Sequence, residues 1–206
     1  MSVETLPAKR QAVVRAAAQV FVREGYVGAS VDVIAADAGV AKQTIYNYYR
    51  DKENLFLSVI DAMLQPVAEQ FLAVLDEILL DEADLAAGLS RLGREWTTLL
   101  AREDLAALRR LIVGEATRYP QLLAAWQNAG PGLAQPKLTA HLTRLAGRGV
   151  LAVPDPERAA NQLTSLLIGE VQTMSLFGAV DVPAERVDDI VTSGVQVFLR
   201  AYKAAD

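Results

Sequence analysis

The sequence predicts an all-α protein, and three observations support this fold class. The chain has 206 residues, of which 52 % are apolar and 22 % charged, which provides enough apolar material for a packed core. Apolar residues recur at spacings of three and four, as in Val31, Ile34, Ala35 and Ala38. There is no sustained β-branched alternation and no Asn-Gly or Asp-Gly hairpin signal. Glycines and prolines divide the chain into about ten predicted helices.

The first helices form a compact head. A helix is predicted at Pro7–Glu24, ended by Gly25, and Ser30 then supplies the N-cap of a short helix. Gly39 follows that helix, at a point where the chain needs a residue tolerant of positive φ. A second short helix is predicted at Lys42–Tyr49.

A long helix capped by Asp51 continues into the rest of the chain, and Pro66 predicts a kink or local irregularity within it. Because this helix leaves the head without a flexible linker, we predict a helix-turn-helix domain at 1–55 and a larger helical domain at 56–206. Further helices are predicted at Asp84–Ala101, Asp104–Thr117, Pro120–Asn128, Leu133–Ala146, Asp155–Phe177 and Pro183–Lys203.

The composition excludes several kinds of chemistry. The chain has no Cys, so disulfides, thiolate zinc sites and Cys nucleophiles are absent. His141 is the only histidine, which excludes sites that need two imidazoles, including the Glu-x-x-His pairs of a di-iron enzyme, the alternative we weighed from the enzyme class. No G-x-S-x-G or Walker motif occurs. We therefore expect no enzyme, catalytic residue, metal or cofactor.

Two short helices joined by a tight turn at Gly39 predict a helix-turn-helix, in which one helix enters the major groove of DNA. On the second helix, Ile45 and Tyr49 are four residues apart and are predicted to face inward. The outward face is then polar, with one cation. Such a face suits contacts with base edges and phosphate oxygens.

Residues 9–60 resemble the DNA-binding domain of the tetracycline-repressor (TetR) family, without a gap over about fifty residues. The resemblance lies in Ala17, Phe21, Gly25-Tyr26, Ser30-Val31, Ile34-Ala35, Ala38-Gly39-Val40, Lys42, Thr44-Ile45-Tyr46, Tyr49, Lys52-Glu53 and Leu55. Ala41 stands where members often have a capping Ser, and Tyr48 where they commonly have His. The resemblance implies a DNA-binding head and a body that binds an effector and dimerises.

Seven residues are predicted to contact DNA. Lys42, Thr44, Tyr46, Tyr48 and Lys52 are expected to act mainly through phosphates. Gln43 and Asn47 are candidates for base readout, because their amides can pair with adenine.

The body is predicted to form a homodimer and to bind a small molecule. The last two long helices carry apolar stripes that we expect to form the dimer contact: Leu163, Leu166, Leu167, Val171 and Met174 on one, and Val187, Ile190, Val191, Val195 and Phe198 on the other. Because the chain lacks redox and metal-sensing groups, we expect a small hydrophobic or aromatic effector. Its candidate contacts are Met63, Phe71, Trp96, Tyr119, Trp126 and Met174.

These observations predict a ligand-responsive transcriptional repressor, released from a pseudo-palindromic double-stranded operator by its effector. The alternative is an interaction protein that keeps the fold without binding DNA. Residues 1–5 lack the basic and apolar regions of a signal peptide, and the longest uncharged stretch, 119–136, contains three prolines. We therefore expect a cytoplasmic protein that does not associate with a membrane.

Overall fold

A computed structural model describes residues 7–78, 84–129 and 131–204. Residues 1–5, which contributed to the expected location, lie outside these ranges. The described regular structure is helical, apart from an isolated antiparallel bridge between Leu151 and Lys203, so the all-α prediction is confirmed. The helices are α1 (Ala8–Gly28), α2 (Val31–Asp37), α3 (Lys42–Tyr49), α4 (Lys52–Ile78), α5 (Leu85–Ala101), α6 (Glu103–Glu115), α7 (Pro120–Ala129), α8 (Pro131–Gly147), α9 (Pro156–Thr164), α10 (Glu170–Met174) and α11 (Ala184–Tyr202).

Two compact units make up the fold. The first comprises the described residues of Met1–Val67 and Ala107–Pro131, and the second those of Ala68–Ala106 and Gly132–Asp206. The helical head therefore shares a unit with the second half of α6 and with α7. The domain boundary predicted after residue 55 remains a prediction.

Local sequence signals determine where the helices of the head begin and end. Gly25 interrupts α1 with φ +74° and ψ 167°, so the helical stretch predicted to end there resumes briefly up to Gly28. The Ser30 hydroxyl accepts a hydrogen bond from the Asp32 backbone N–H, which caps α2 as predicted. Gly39 has φ +65°, a backbone conformation that glycine adopts at little cost.

The long helix α4 begins after an Asp51 cap, since the backbone N–H of Asn54 donates to Asp51 Oδ1 over 2.7 Å. The helix continues through Pro66 to Ile78, although proline removes one backbone donor. By length and composition, 52–77 is apolar enough to cross a membrane. Half of the apolar window is buried within the protein, as in the core helix of a soluble protein, so this helix is weak evidence for a membrane span.

Two glycines allow close helix packing in the second unit, where α11 packs against α5. A Cβ at Gly93 would lie 2.7 Å from Val191 Cγ1. A Cβ at Gly194 would lie 2.6 Å from the carbonyl oxygen of Leu166. Both distances are shorter than a carbon atom tolerates, so neither position accepts a side chain without movement of its neighbour.

The helix predicted over 155–177 is not continuous. Asp155 caps α9 as expected, but the chain passes into a π-helical segment at Ser165–Gly169 and then into α10, which ends at Met174. The wider turn of a π-helix changes which side chains share a face. Apolar periodicity alone does not reveal this change.

The apolar stripes proposed as the dimer contact are largely used inside the chain. Leu163, Leu167, Val191 and Phe198 have no exposed surface, and Val195 is only 2 % exposed. These side chains form the core of the second unit. A partner would therefore contact the opposite, exposed sides of α9 and α11.

Candidate nucleic-acid interface

Helix α3 is anchored by its two apolar side chains. Ile45 is 1 % exposed and Tyr49 is 3 % exposed, as the spacing predicted. The Arg10 Nε donates to the Tyr49 hydroxyl over 3.2 Å, and the guanidinium carbon lies 5.2 Å from the centre of the Tyr49 ring. Arg10 of α1 thus fixes the orientation of α3, through a contact 39 positions apart that no local spacing predicts.

The opposite face of α3 is open to solvent and polar. Lys42, Gln43, Tyr46, Asn47 and Tyr48 are exposed, and Thr44 is half-buried. Gln43 Nε2 donates to Asn47 Oδ1 over 3.1 Å, so the two candidates for base readout lie side by side. Ala41 precedes the helix without any side-chain cap, which leaves amide donors at its amino-terminal end. This surface offers hydrogen-bonding groups suited to a nucleic acid.

The Lys42 ammonium lies 2.9 Å from Asp32 Oδ2, in an exposed ion pair between α3 and α2. The hydrogen bond to Asp32 raises the pKa of Lys42 above its usual range. Lys42 is therefore positioned at the start of α3 as a cation, although a phosphate there would compete with Asp32. Asp32 precedes Lys42 by ten positions, and no local sequence signal identifies it as the partner.

Lys52, at the start of α4, connects two parts of the head. Its ammonium donates to the carbonyl oxygens of Val27 and Ala29, each over 3.1 Å. It also lies 5.1 Å from the centre of the Tyr26 ring. Burial raises the pKa of the Tyr26 hydroxyl to about 12, so this ring is neutral at physiological pH.

The candidate effector contacts are divided between the two units. Met63, Tyr119 and Trp126 belong to the first unit, and Phe71, Trp96 and Met174 to the second. The structure pairs Phe71 with Trp96, whose ring centres are 4.5 Å apart. Tyr119 lies edge-on to Tyr26 at 4.7 Å. Met174 is 44 % exposed at the end of α10.

His141 is buried in the second unit, with 5 % of its surface exposed. Arg144 donates to its Nδ1 over 2.7 Å, and its Nε2 lies 3.4 Å from Asp76 Oδ1. An Nδ1 that accepts from arginine leaves the ring proton on Nε2. Burial and then the positive charge of Arg144 lower the pKa of His141, while Asp76 opposes this effect. Within the described ranges, no three acidic or histidine side chains group as a metal site requires.

The exposed sides of α9 and α11 enclose an open groove of about 880 Å³. We call it the base groove. It runs along α9 into the π-helical segment and lies beside the end of α11, where the Tyr202 hydroxyl donates to Gln162 Oε1. Its lining residues are Asp155, Glu157, Arg158, Asn161, Gln162, Ser165, Leu166, Val197, Phe198, Ala201 and Tyr202.

Helix α3 is held by the buried side chains of Ile45 and Tyr49, follows a tight turn at Gly39 and exposes a polar face. These features define the chain as a helix-turn-helix transcriptional regulator with a helical body. Two family models cover most of it. Residues 13–59 match the bacterial regulatory proteins of the tetR family, and residues 87–204 match the AefR-like transcriptional repressor C-terminal domain. The chain belongs to the TetR family, and it is a ligand-responsive, DNA-binding transcriptional repressor.

Individual relatives agree with this assignment. The chain is 27 % identical to the HTH-type transcriptional repressor NicS of Pseudomonas putida in a match of 182 residues that covers 84 % of this chain and 81 % of NicS. It is 41 % identical to the repressor SCO4008 of Streptomyces coelicolor over 61 residues, 30 % of this chain and about a third (32 %) of that repressor.

Solved structures share the whole fold. A TetR-family transcriptional regulator from Mesorhizobium loti superposes with a TM-score of 0.87 at 29 % identity, covering 95 % of this chain and 97 % of that protein. The flavonoid-responsive regulator FrrA gives a TM-score of 0.74 at 30 % identity, with coverages of 95 % and 97 %. These relatives are transcriptional regulators rather than enzymes.

Proposed function

We propose that two copies of this chain bind a pseudo-palindromic operator, each inserting α3 into one major groove, and that a hydrophobic or aromatic effector releases them. The exposed polar face of α3, held by buried Ile45 and Tyr49, is the observation that carries this proposal. A helix of this length reads only a few base pairs, so useful specificity needs two half-sites. The protein acts in the bacterial cytoplasm, without a catalytic role or a cofactor.

Base readout is assigned to Gln43 and Asn47. Their mutual hydrogen bond over 3.1 Å orients both amides on the exposed face. A carboxamide can pair with both the N6 and the N7 of adenine. Phosphate contacts are assigned to Lys42, Thr44, Tyr46 and Tyr48 of α3 and to Lys52 at the start of α4, because these residues carry charged or hydroxyl groups.

Two substitutions test the assignment on DNA from the region upstream of the protein's own gene. Lys42→Ala should weaken binding to all sequences alike and reduce the slope of log affinity against log salt by about one. Gln43→Ala should instead reduce the preference for the operator over scrambled DNA, by about 1–3 kcal/mol. Fluorescence anisotropy between 50 and 200 mM salt measures both quantities (about the range over which counterion release is resolved).

Arg91→Ala is the control, because Arg91 is an exposed cation of the second unit paired with Glu77. It should leave affinity and salt slope unchanged. If neither head variant changes binding to a defined operator, the assignment of α3 is wrong. If the intact protein fails to shift DNA or to bind heparin, the interaction-protein alternative replaces the repressor.

The dimer is expected to form through the exposed sides of α9 and α11. Val197 is 48 % exposed and lines the base groove with Leu166 and Ala201, so apolar surface remains on this side. Sedimentation velocity at micromolar concentration should detect a dimer. A monomer under these conditions would refute the proposed homodimer.

Phe71 and Trp96 support an aromatic effector. Phe71 is 3 % exposed and packs against the half-buried Trp96 in the second unit, so the Trp96 ring is the side of this contact that can stack with a planar apolar ligand. FrrA, which is 30 % identical over nearly the whole chain, is named as flavonoid-responsive. We therefore propose a polyphenol-like aromatic effector of two or more rings.

Tryptophan fluorescence tests this effector class, because the chain has only Trp96 and Trp126. Flavones, flavanones and isoflavones should quench the protein and release operator DNA over the same concentration range. Quenching should persist in Trp126→Phe and be largely lost in Trp96→Phe. Quenching without DNA release would mean that the bound compound is not the effector.

The switch is proposed to act through contacts between the head and α7. Gln121 Nε2 donates to Glu53 Oε1 over 3.1 Å, and the ring of Tyr119 meets that of Tyr26 at 4.7 Å. A shift of α6 and α7 would therefore move the head, and α4 offers Pro66 as a place to bend. A hundredfold change in operator affinity needs a preference of only about 2.7 kcal/mol for the non-binding state.

A further inference from the structure

The turn between α10 and α11 has an unusual combination of backbone conformation and apolar exposure. Leu176 and Phe177 have φ of +47° and +59°, a region that large side chains rarely occupy. Leu176 is nevertheless 62 % exposed and Phe177 is 43 % exposed. Each such conformation costs on the order of 1–3 kcal/mol and persists where surrounding structure imposes it. We call residues 175–180 the tip turn.

Hydrogen bonds hold the tip turn in this conformation. The Phe177 backbone N–H donates to the carbonyl of Gln172 over 2.9 Å, and the Gly178 N–H donates to the Ser175 hydroxyl over 2.9 Å. Ser175 is itself buried, with its hydroxyl donating to the Gln172 carbonyl. The turn is thus a braced projection that presents apolar side chains to solvent, including Val180 at 54 % exposure.

The base groove lies at the other end of α11. The nineteen residues of α11 span about 28 Å at 1.5 Å per residue. Leu166, Val197 and Ala201 give the groove an apolar wall. The second unit therefore has an apolar projection at one end of α11 and an open groove with apolar surface at the other.

The charges of α11 favour one orientation for two copies. Its first half carries the exposed acids Glu185, Asp188 and Asp189 and one exposed cation, Arg186, which pairs with Glu170, while Asp188 pairs with Arg94. The net charge of this half is therefore −2 (one cation against three acids), whereas the exposed cations Arg200 and Lys203 lie at the end of α11 and directly after it. Two α11 helices that pack antiparallel about a two-fold axis place the acidic half of each beside the basic end of the other. A parallel arrangement places like charges together. The antiparallel arrangement also brings the tip turn of one copy to the base groove of the other.

We propose that the tip turn of each copy docks into the base groove of a second copy, with Leu176 and Phe177 as the inserted side chains. This inference rests on the proposed homodimer and adds its orientation and its principal contact. The acids that follow the tip turn disfavour DNA or an anionic membrane as the occupant. The contact is isologous, so it closes after two copies.

Cysteine cross-linking tests the contact directly, because the chain has no cysteine of its own. Leu176→Cys and Ala201→Cys, carried on full-length chains of different mass, are mixed and oxidised. The expected product is a disulfide between the two variants. Residues 176 and 201 of the same chain are separated by nearly the length of α11, whereas a disulfide needs Cα atoms within about 7 Å. A chain that carries both substitutions therefore cannot form this disulfide within itself.

Each result has a defined meaning. A disulfide between two Leu176→Cys chains would show that the two tip turns contact each other, which would overturn the proposal. Absence of the mixed product, with sedimentation still showing a dimer, would overturn the docking contact but leave the homodimer intact. A monomeric wild-type protein would overturn both, whereas DNA release by an effector would remain separately testable.

A second variant separates docking from folding. Leu176→Gly relaxes the backbone at a positive φ and removes the inserted side chain, so it should keep the fold while raising the dimer dissociation constant at least tenfold. Val113→Ala is the matched control, since Val113 is 52 % exposed on α6 in the other unit. An unchanged dissociation constant in Leu176→Gly, measured by sedimentation equilibrium, would overturn the proposal.

Discussion

Lys52 combines a structural and a functional role in one ammonium group. An ammonium has three donors, and two of these bind the carbonyls of Val27 and Ala29. The remaining donor is available to the DNA phosphate that we assign to this residue. The two backbone contacts hold the cation in place between the end of α1 and the start of α4.

Lys52→Met should therefore have two effects. The free energy of unfolding should fall by about 1–2 kcal/mol, because charge-assisted hydrogen bonds are lost at a half-buried site. The salt slope of DNA binding should fall by about one if Lys52 contacts a phosphate. Urea denaturation and anisotropy measure these effects. Lys137→Met, in the second unit, should not change the slope, and an unchanged slope in Lys52→Met would assign that residue a purely structural role.

His141 makes stability depend on pH near neutrality. Its pKa is lowered in the folded protein, first by burial and then by Arg144, so the unfolded chain binds the proton more readily. The neutral ring contributes its full share of the folding stability above the unfolded pKa of about 6.5. It is lost as the pH falls from there through the lower folded pKa.

Thermal unfolding between pH 7.5 and pH 5.5 (a window of about one unit on each side of the unfolded pKa) should show this loss. His141 is the only histidine, so its titration dominates the change in stability over this pH range. The pKa of Asp76 is lowered, first by Lys137, so Asp76 affects the stability only in more acidic solution. His141→Gln should flatten the pH dependence between these limits. A midpoint that stays constant with pH in the wild type would contradict the assigned protonation state.

At the scale of elements, the contact between α11 and the π-helical segment depends on Gly194. A side-chain carbon there would meet the backbone oxygen of Leu166 at 2.6 Å, and backbone moves less readily than a flexible side chain. Gly194→Ala should lower the free energy of unfolding by about 1–3 kcal/mol through overpacking. Gly114→Ala, in α6 with open space around it, should be neutral or stabilising. Equal stability of the two variants by urea denaturation would show that the helices separate without cost.

The same elements show what a sequence can and cannot predict. Helix α3 was predicted with its observed bounds, Lys42–Tyr49, because Gly39 and the i, i+4 pair of Ile45 and Tyr49 are local signals. The interruption at Ser165–Gly169 was missed because no local spacing marks it: Leu166 in this segment lies close to Gly194 of α11, and such a contact is distant in sequence. Most of the stripe residues expected at the dimer contact are buried within the chain instead, because apolar periodicity identifies a buried face without identifying what buries it.

For the whole molecule, the sequence predicted the class of protein and the polar face of α3, but not the contacts that connect the head to α7. Tyr119 and Gln121 follow the head residues Tyr26 and Glu53 by 93 and 68 positions, respectively. Such pairs arise only when the chain folds back on itself, and no local spacing predicts them. They bring 107–131 into the unit that holds the DNA-contacting helix.

These contacts predict how the repressor transmits its signal. If the hydrogen bond from Gln121 to Glu53 couples α7 to the head, Gln121→Leu should reduce the effector-induced change in operator affinity by about fivefold, which corresponds to roughly 1 kcal/mol of lost coupling. Operator affinity without effector and quenching by the active flavonoid should remain near wild-type values, because Gln121 belongs to neither proposed binding surface. Gln127→Leu is the control, since it makes the same change at an exposed position of α7 and should retain the full response. Titrations of operator DNA with and without the flavonoid give the ratio of the two operator affinities for each variant. A full response in Gln121→Leu would mean that the signal reaches the head through α4 instead.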